Sequence, residues 1–192
     1  MVRLKHLRDR FPSRRNLLLV FLVSSFPVAV WSWIIFLYDL PSFLLSLRSS
    51  QIFNIFSYLQ AIALIESAVL FSLVTSLAIL LPRSLFLGNY VPQATLLIVA
   101  LTFWAVGIHL SSEQIASGGD VGSNLALRYL WTAIWVIVFV GSSILARCRK
   151  RWNTVILAFV DRLSLISGVY LLFPLASLPY VVIRNIVLMI KP

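Results

Sequence analysis

The sequence predicts an all-α, polytopic integral membrane protein of about five transmembrane helices, with one or two interfacial helices. Three observations carry this expectation. Of the 192 residues, 60% are hydrophobic and 11% are charged, less than half the charged fraction of an ordinary soluble domain. Apolar stretches long enough to cross ~30 Å of hydrocarbon recur five times along the chain. The basic residues behind the net charge of +10 cluster beside those stretches, which is the signature of membrane topology rather than of a nucleic-acid footprint. No nucleic-acid partner is therefore expected.

The first span is read over 17–38. A basic flank precedes it, as in a signal peptide, but the apolar run is too long and no small-residue cleavage pattern follows, so an uncleaved helix is expected. Pro27 should kink it. After Asp39 and Pro41, residues 42–56 are apolar but interrupted by Ser42, Ser46, Arg48 and Gln51, the pattern of a helix lying in the interface. The second span, 56–81, exceeds what a bilayer requires and should tilt. Pro82 and Arg83 close it.

Gly88, Asn89 and Pro92 mark a turn into a short third span, 94–110. The stretch "SSEQIASGGDVGSN" is polar and glycine-rich and reads as a linker; its "GGDVG" has a single acid and no repeat, too little for a calcium motif. The fourth span, 125–146, runs into Arg147, Arg149, Lys150 and Arg151, and residues 152–160 are expected to form a second interfacial segment. The fifth span is read over 163–183, or to 190, and Pro174 and Pro179 predict a kinked or broken helix. The whole chain, 1–192, is read as one transmembrane domain. Five spans without an internal repeat do not divide into equal inverted halves, which argues against the common secondary-transporter designs.

Lys and Arg counts set the orientation. Arg3, Lys5, Arg8, Arg10, Arg14 and Arg15 precede the first span, Arg83 follows the second, and Arg147, Arg149, Lys150, Arg151 and Arg162 lie between the fourth and fifth. The other side receives Arg48, Arg128, Arg184 and Lys191. This bias predicts a multi-pass protein of the cell membrane with a cytoplasmic N-terminus and an outward C-terminus. Anionic lipids of the cytoplasmic leaflet are expected partners of Arg147, Arg149, Lys150 and Arg151, at ~1 kcal/mol per basic residue. Trp31, Trp33, Phe36 and Tyr38 are read as an outer aromatic belt, and Trp152 as an inner anchor.

Within "LQAIALIESAVLFSLV" stands one acid, Glu66. An ionisable group at membrane depth marks a site or a partner by default. Advancing ~100° per residue places Ser57, Ala61, Ala68, Ser72 and Thr75 on one small-residue seam suited to close helix packing. Glu66 then lies opposite, among Leu59, Ile62, Leu70, Leu73 and Leu77. It is expected to face another helix, of this chain or of a second protein. His109, Arg128 and Arg184 fall toward the same outer side, so Glu66, His109, Arg128 and Arg184 form a candidate intramembrane polar cluster. The plainer reading is a lock between helices or an interface anchor. The sharper one is a site that binds an anionic headgroup or relays a proton.

No H-E-x-x-H, G-x-S-x-G or P-loop pattern occurs, and His6 and His109 fall on opposite sides of the predicted topology, so they cannot share a metal. Cys148 is a lone cysteine and excludes an intramolecular disulfide. Catalytic residues, cofactors and metals are therefore not expected. The favoured function is that of a non-enzymatic accessory or scaffold subunit acting through helix contacts with another membrane protein. The alternatives are a small transporter or lipid-binding protein with a polar pocket around Glu66, and an intramembrane enzyme for which no nucleophile and base can be named.

Overall fold

A computed structural model describes residues 12–80, 90–116, 121–148 and 150–190. They form five α-helices and, among the described residues, no strand: α1 (Arg14–Ser46), α2 (Ser49–Leu80), α3 (Tyr90–Ala116), α4 (Val121–Cys148) and α5 (Lys150–Ile190). Four segments are long and apolar enough to cross a membrane: Arg14–Ser46, Ser49–Leu80, Tyr90–His109 and Asn153–Ile190. The described apolar part of α4 is shorter, Leu125–Ile137. The chain is an all-α polytopic membrane protein, as its composition and apolar runs predict.

The helices are longer than the spans read from the sequence. The interfacial helix expected over 42–56 is not a separate element. α1 continues through Pro41 to Ser46, the chain turns at Leu47 and Arg48, and α2 begins at Ser49. Proline removes one backbone donor and leaves a carbonyl without its partner, which a helix with packed neighbours tolerates. At the turn, the Leu47 amide bonds the Phe43 carbonyl at 2.8 Å, and the Arg48 amide bonds Gln51 Oε1 at 2.9 Å. That side-chain bond is half of a capping box and fixes the start of α2.

The second interfacial segment, expected over 152–160, is likewise continuous with the last span. α5 is helical from Lys150 to Ile190, and neither Pro174 nor Pro179 breaks it. Its end is at Ile190, the longer of the two sequence readings. The polar linker is also shorter than expected. α3 runs to Ala116 and α4 starts at Val121; Glu113, Gln114 and Ala116 favour helix, although Glu113 and Gln114 would not sit in hydrocarbon. The expected turn at 88–89, the closing Pro82 and Arg83, and the loop residues 117–120 lie outside the described residues.

The chain divides into two compact units. In one, Leu17–Leu73 and Val160–Pro192, of which 160–190 are described, bring together most of α1, the first part of α2 and most of α5. α1 and α2 pack as an antiparallel hairpin: Phe21 meets Phe71, Ser24 Oγ reaches the Ser67 carbonyl at 3.5 Å, Ser32 Oγ meets Gln60 Nε2 at 3.2 Å, and Phe36 meets Phe56. The buried residues of α5 follow one stripe, Val160, Leu163, Ser167, Leu171 and Ser177, the helical spacing of a single packed face. Trp33 stacks edge-on against Phe56 at 5.1 Å and Phe173 at 5.5 Å, and joins the three helices. Trp33 and Phe36, read from the sequence as belt anchors, are packing residues of this cluster.

The other unit contains the end of α2, α3, α4 and the start of α5. α3 enters it buried, with Tyr90, Val91, Gln93, Ala94, Thr95, Leu97 and Ile98 all inside. The Tyr90 and Thr75 hydroxyls share a hydrogen bond of 3.2 Å. α3 and α4 are joined by tryptophans. Trp104 Nε1 donates to Thr132 Oγ1 at 3.2 Å, Trp131 Nε1 donates to the Trp104 carbonyl at 3.4 Å, and the Trp104 and Trp135 rings lie 5.9 Å apart. Trp131 crosses α3 at Gly107, where a Cβ atom would overlap its indole ring.

Candidate functional site

The site is built on one face of α2. Gln51, Asn54, Ile55, Tyr58, Leu59, Ile62 and Glu66 recur at the three- and four-residue spacing that places them along a single stripe. Together with Val28, Trp31, Ser32 and Ile35 of α1 and Arg184 of α5, they line an open groove of about 760 Å³. The residues come from the unit formed by α1, α2 and α5.

The two ends of this groove differ chemically. Toward the Leu47–Arg48 turn lie Gln51, Asn54 and Tyr58. The Tyr180 hydroxyl donates to Asn54 Oδ1 at 2.6 Å, and the Tyr58 hydroxyl donates to Asn185 Oδ1. The Arg184 guanidinium lies over the Tyr58 ring, 5.7 Å from its centroid, where the ring quadrupole attracts a cation. Farther along, the walls are aliphatic, with Ile55, Leu59, Ile62 and Ala63, until Glu66. Eight residues separate Tyr58 from Glu66, about 12 Å at 1.5 Å per residue.

Of the sequence-predicted cluster, Glu66 and Arg184 line the same groove. Among the described residues no ion pair joins them, in keeping with the ~12 Å rise between their levels on α2. His109 and Arg128 belong to the other compact unit. His109 is exposed at the end of the apolar part of α3, and Arg128 is half-buried on α4. Of the basic residues read as lipid contacts, Arg149 lies outside the described residues, and Arg147, Lys150 and Arg151 are described in their helical backbone alone.

The helix boundaries set the depth of Glu66. Because α2 starts at Ser49, Glu66 stands about 25 Å from that end and about 21 Å from Leu80. It is near the middle of the helix. Its side chain is exposed, flanked by Ile62, Ile65 and Val69, each more than half exposed. No hydrogen bond or ion pair reaches it among the described residues.

The small-residue seam is displaced from the expected one. Ser57, Ala61 and Thr75 are buried as predicted, but Ala68 and Ser72 are exposed, and Gln60, Ala63, Ser67, Val74 and Ala78 take their place. Gln60 is fully buried, with Nε2 on Ser32 and Oε1 without a partner. Sequence reasoning also missed Gln51, Asn54 and Tyr58. Their common stripe with Ile55, Ile62 and Glu66 is the available signal, but the sequence reading divides it near residue 56 between an interfacial helix and the second span. Among the described residues no group of His, Cys, Asp and Glu is arranged to hold a metal ion. No protein-family model, curated protein or solved structure matches this chain.

Proposed function

We propose that this protein is a non-enzymatic, multi-pass subunit of the cell membrane that acts by docking a transmembrane helix of another membrane protein on the Glu66 face of α2. The observation that carries the reading is the position of Glu66. An exposed acid among exposed Ile62, Ile65 and Val69, near the middle of a helix of membrane-crossing length, costs about 2.5–3.5 kcal/mol against lipid on insertion scales. A helix presenting Lys, Arg or another hydrogen-bond donor at that depth removes this cost and supplies charge complementarity. A second copy related by an axis along the membrane normal would instead place Glu66 opposite Glu66 or its neighbours, with Arg184 about 12 Å away in depth.

The lysine and arginine distribution supports a cytoplasmic N-terminus and an outward C-terminus. It also supports contact of the basic run at 147–151 with anionic lipid of the cytoplasmic leaflet. The test is site-specific photocross-linking in the native membrane from Ile65 and Val69, compared with the exposed Leu165 on α5. We expect one discrete protein adduct from the α2 positions, mapped to a transmembrane segment within reach of a basic or amide side chain, and lost in Glu66→Gln. Adducts to lipid alone, or a protein adduct indifferent to Glu66→Gln, would overturn the proposal.

A further inference from the structure

The polar end of the groove contains more free donors than acceptors. Gln51 spends its amide oxygen on the Arg48 backbone N–H, so its NH2 group is what remains for the groove. Asn54 spends its amide oxygen on the Tyr180 hydroxyl, leaving its NH2 group as well. The Tyr58 hydroxyl has already donated to Asn185. Arg184 adds five N–H donors and no acceptor, and among the described residues no carboxylate pairs with it. Gln51, Asn54 and Arg184 line one groove, so its unspent hydrogen-bonding capacity at this end is cationic and donor-rich.

The location selects the kind of anion. α1 and α2 are each long and apolar enough to cross a membrane, so the two-residue turn between them, Leu47 and Arg48, must lie at a membrane surface. Gln51 and Asn54 are in the first two turns after it, at the level of headgroups. Beyond them the groove continues between aliphatic walls, with Val28 and Ile35 facing Ile55, Leu59 and Ile62. We infer that this groove binds an anionic phospholipid of the leaflet that faces the Leu47–Arg48 turn. Its phosphate lies against Arg184, Gln51 and Asn54, and its acyl chain lies along Ile55, Leu59 and Ile62. A cationic, donor-rich lining matches phosphate oxygens, and the apolar continuation matches a chain rather than a free ion. The lipid reading shares the groove and Ile62 with the Glu66 docking reading, but it concerns a different ligand and rests on Arg184, Gln51 and Asn54 rather than on Glu66.

Native mass spectrometry of the full chain in detergent, titrated with phosphatidylglycerol, phosphatidylcholine or inorganic phosphate, tests the inference. We expect phosphatidylglycerol to be retained preferentially and Arg184→Gln to weaken it about tenfold or more, the scale of one charge-assisted hydrogen bond. Gln51→Glu and Asn54→Asp guard against misfolding. Each keeps the acceptor used by Arg48 or Tyr180 and replaces the NH2 group with an anion, so each should weaken the lipid at least as much while the helices stay intact by circular dichroism. Leu165→Ala, at an exposed position outside the groove lining, should leave lipid retention unchanged. Equal retention of phosphatidylglycerol by wild type, Arg184→Gln and Gln51→Glu would overturn the inference. So would equal retention of phosphatidylcholine, or displacement of the lipid by inorganic phosphate, which would make the site one for a free anion.

Discussion

Gly107 has no side chain where the Trp131 indole crosses α3. The close approach lets Trp131 Nε1 reach the Trp104 carbonyl and Trp104 Nε1 reach Thr132. Gly107→Ala should therefore overpack the α3–α4 contact and destabilise the protein by about 1–3 kcal/mol. Trp131→Leu in the same chain should recover a substantial part of that loss, because the two changes share one contact. A double-mutant cycle on unfolding in mixed micelles measures this, and simple additivity would show that the indole does not occupy the glycine notch. The glycine and the tryptophans were visible in the sequence, but their meeting was not, because it depends on the register of two helices that brings together residues 24 positions apart. Glu66, in contrast, was legible from its own surroundings, since one acid in a long apolar run is anomalous wherever the helix points.

At the scale of elements, the sequence located the apolar spans and underestimated the helices. Hydrophobicity reports where hydrocarbon can be, whereas helix is set by backbone bonding, which continues through polar Ser111–Ala116 and through Pro41, Pro174 and Pro179. The rotational face of α2 was harder to read. A seam of small residues can be drawn through Ala68 and Ser72, but the packed one passes through Gln60 and Ser67. Ser67 is fully enclosed, bonding the Ala63 carbonyl at 2.7 Å beside Ser24. Ser67→Leu should thus separate the α1–α2 hairpin and cost about 1–3 kcal/mol. Ala68→Leu, one residue away on an exposed face, should change stability by less than about 0.5 kcal/mol. Thermal unfolding in one detergent distinguishes them, and the reverse order would restore the seam read from the sequence.

For the whole molecule, the proposed orientation makes a direct demand on α1. If its N-terminal end is cytoplasmic, Ser13 and the Leu47–Arg48 turn lie on opposite sides of the membrane, because α1 spans 33 residues, about 50 Å of helix. In a Cys148→Ser background, a cysteine at Arg48 should label with an impermeant maleimide in intact cells. A cysteine at Ser13 should label only after permeabilisation. Labelling in the opposite pattern would invert the topology, and labelling of both in intact cells would mean that α1 does not cross.

The class of this protein, its long apolar helices and the anomaly of Glu66 followed from the sequence alone. These depend on composition and on local runs, in which each residue's affinity for hydrocarbon adds to its neighbours'. Tertiary structure decided which face of α2 is buried, which amide oxygens are already spent, and that Arg184 shares a groove with Gln51 and Asn54. Those facts depend on helix rotation and on partners more than a hundred residues apart, as between Asn54 and Tyr180. On a helix that is apolar nearly all round, no hydrophobic stripe specifies that rotation; side-chain fit and interhelical hydrogen bonds do.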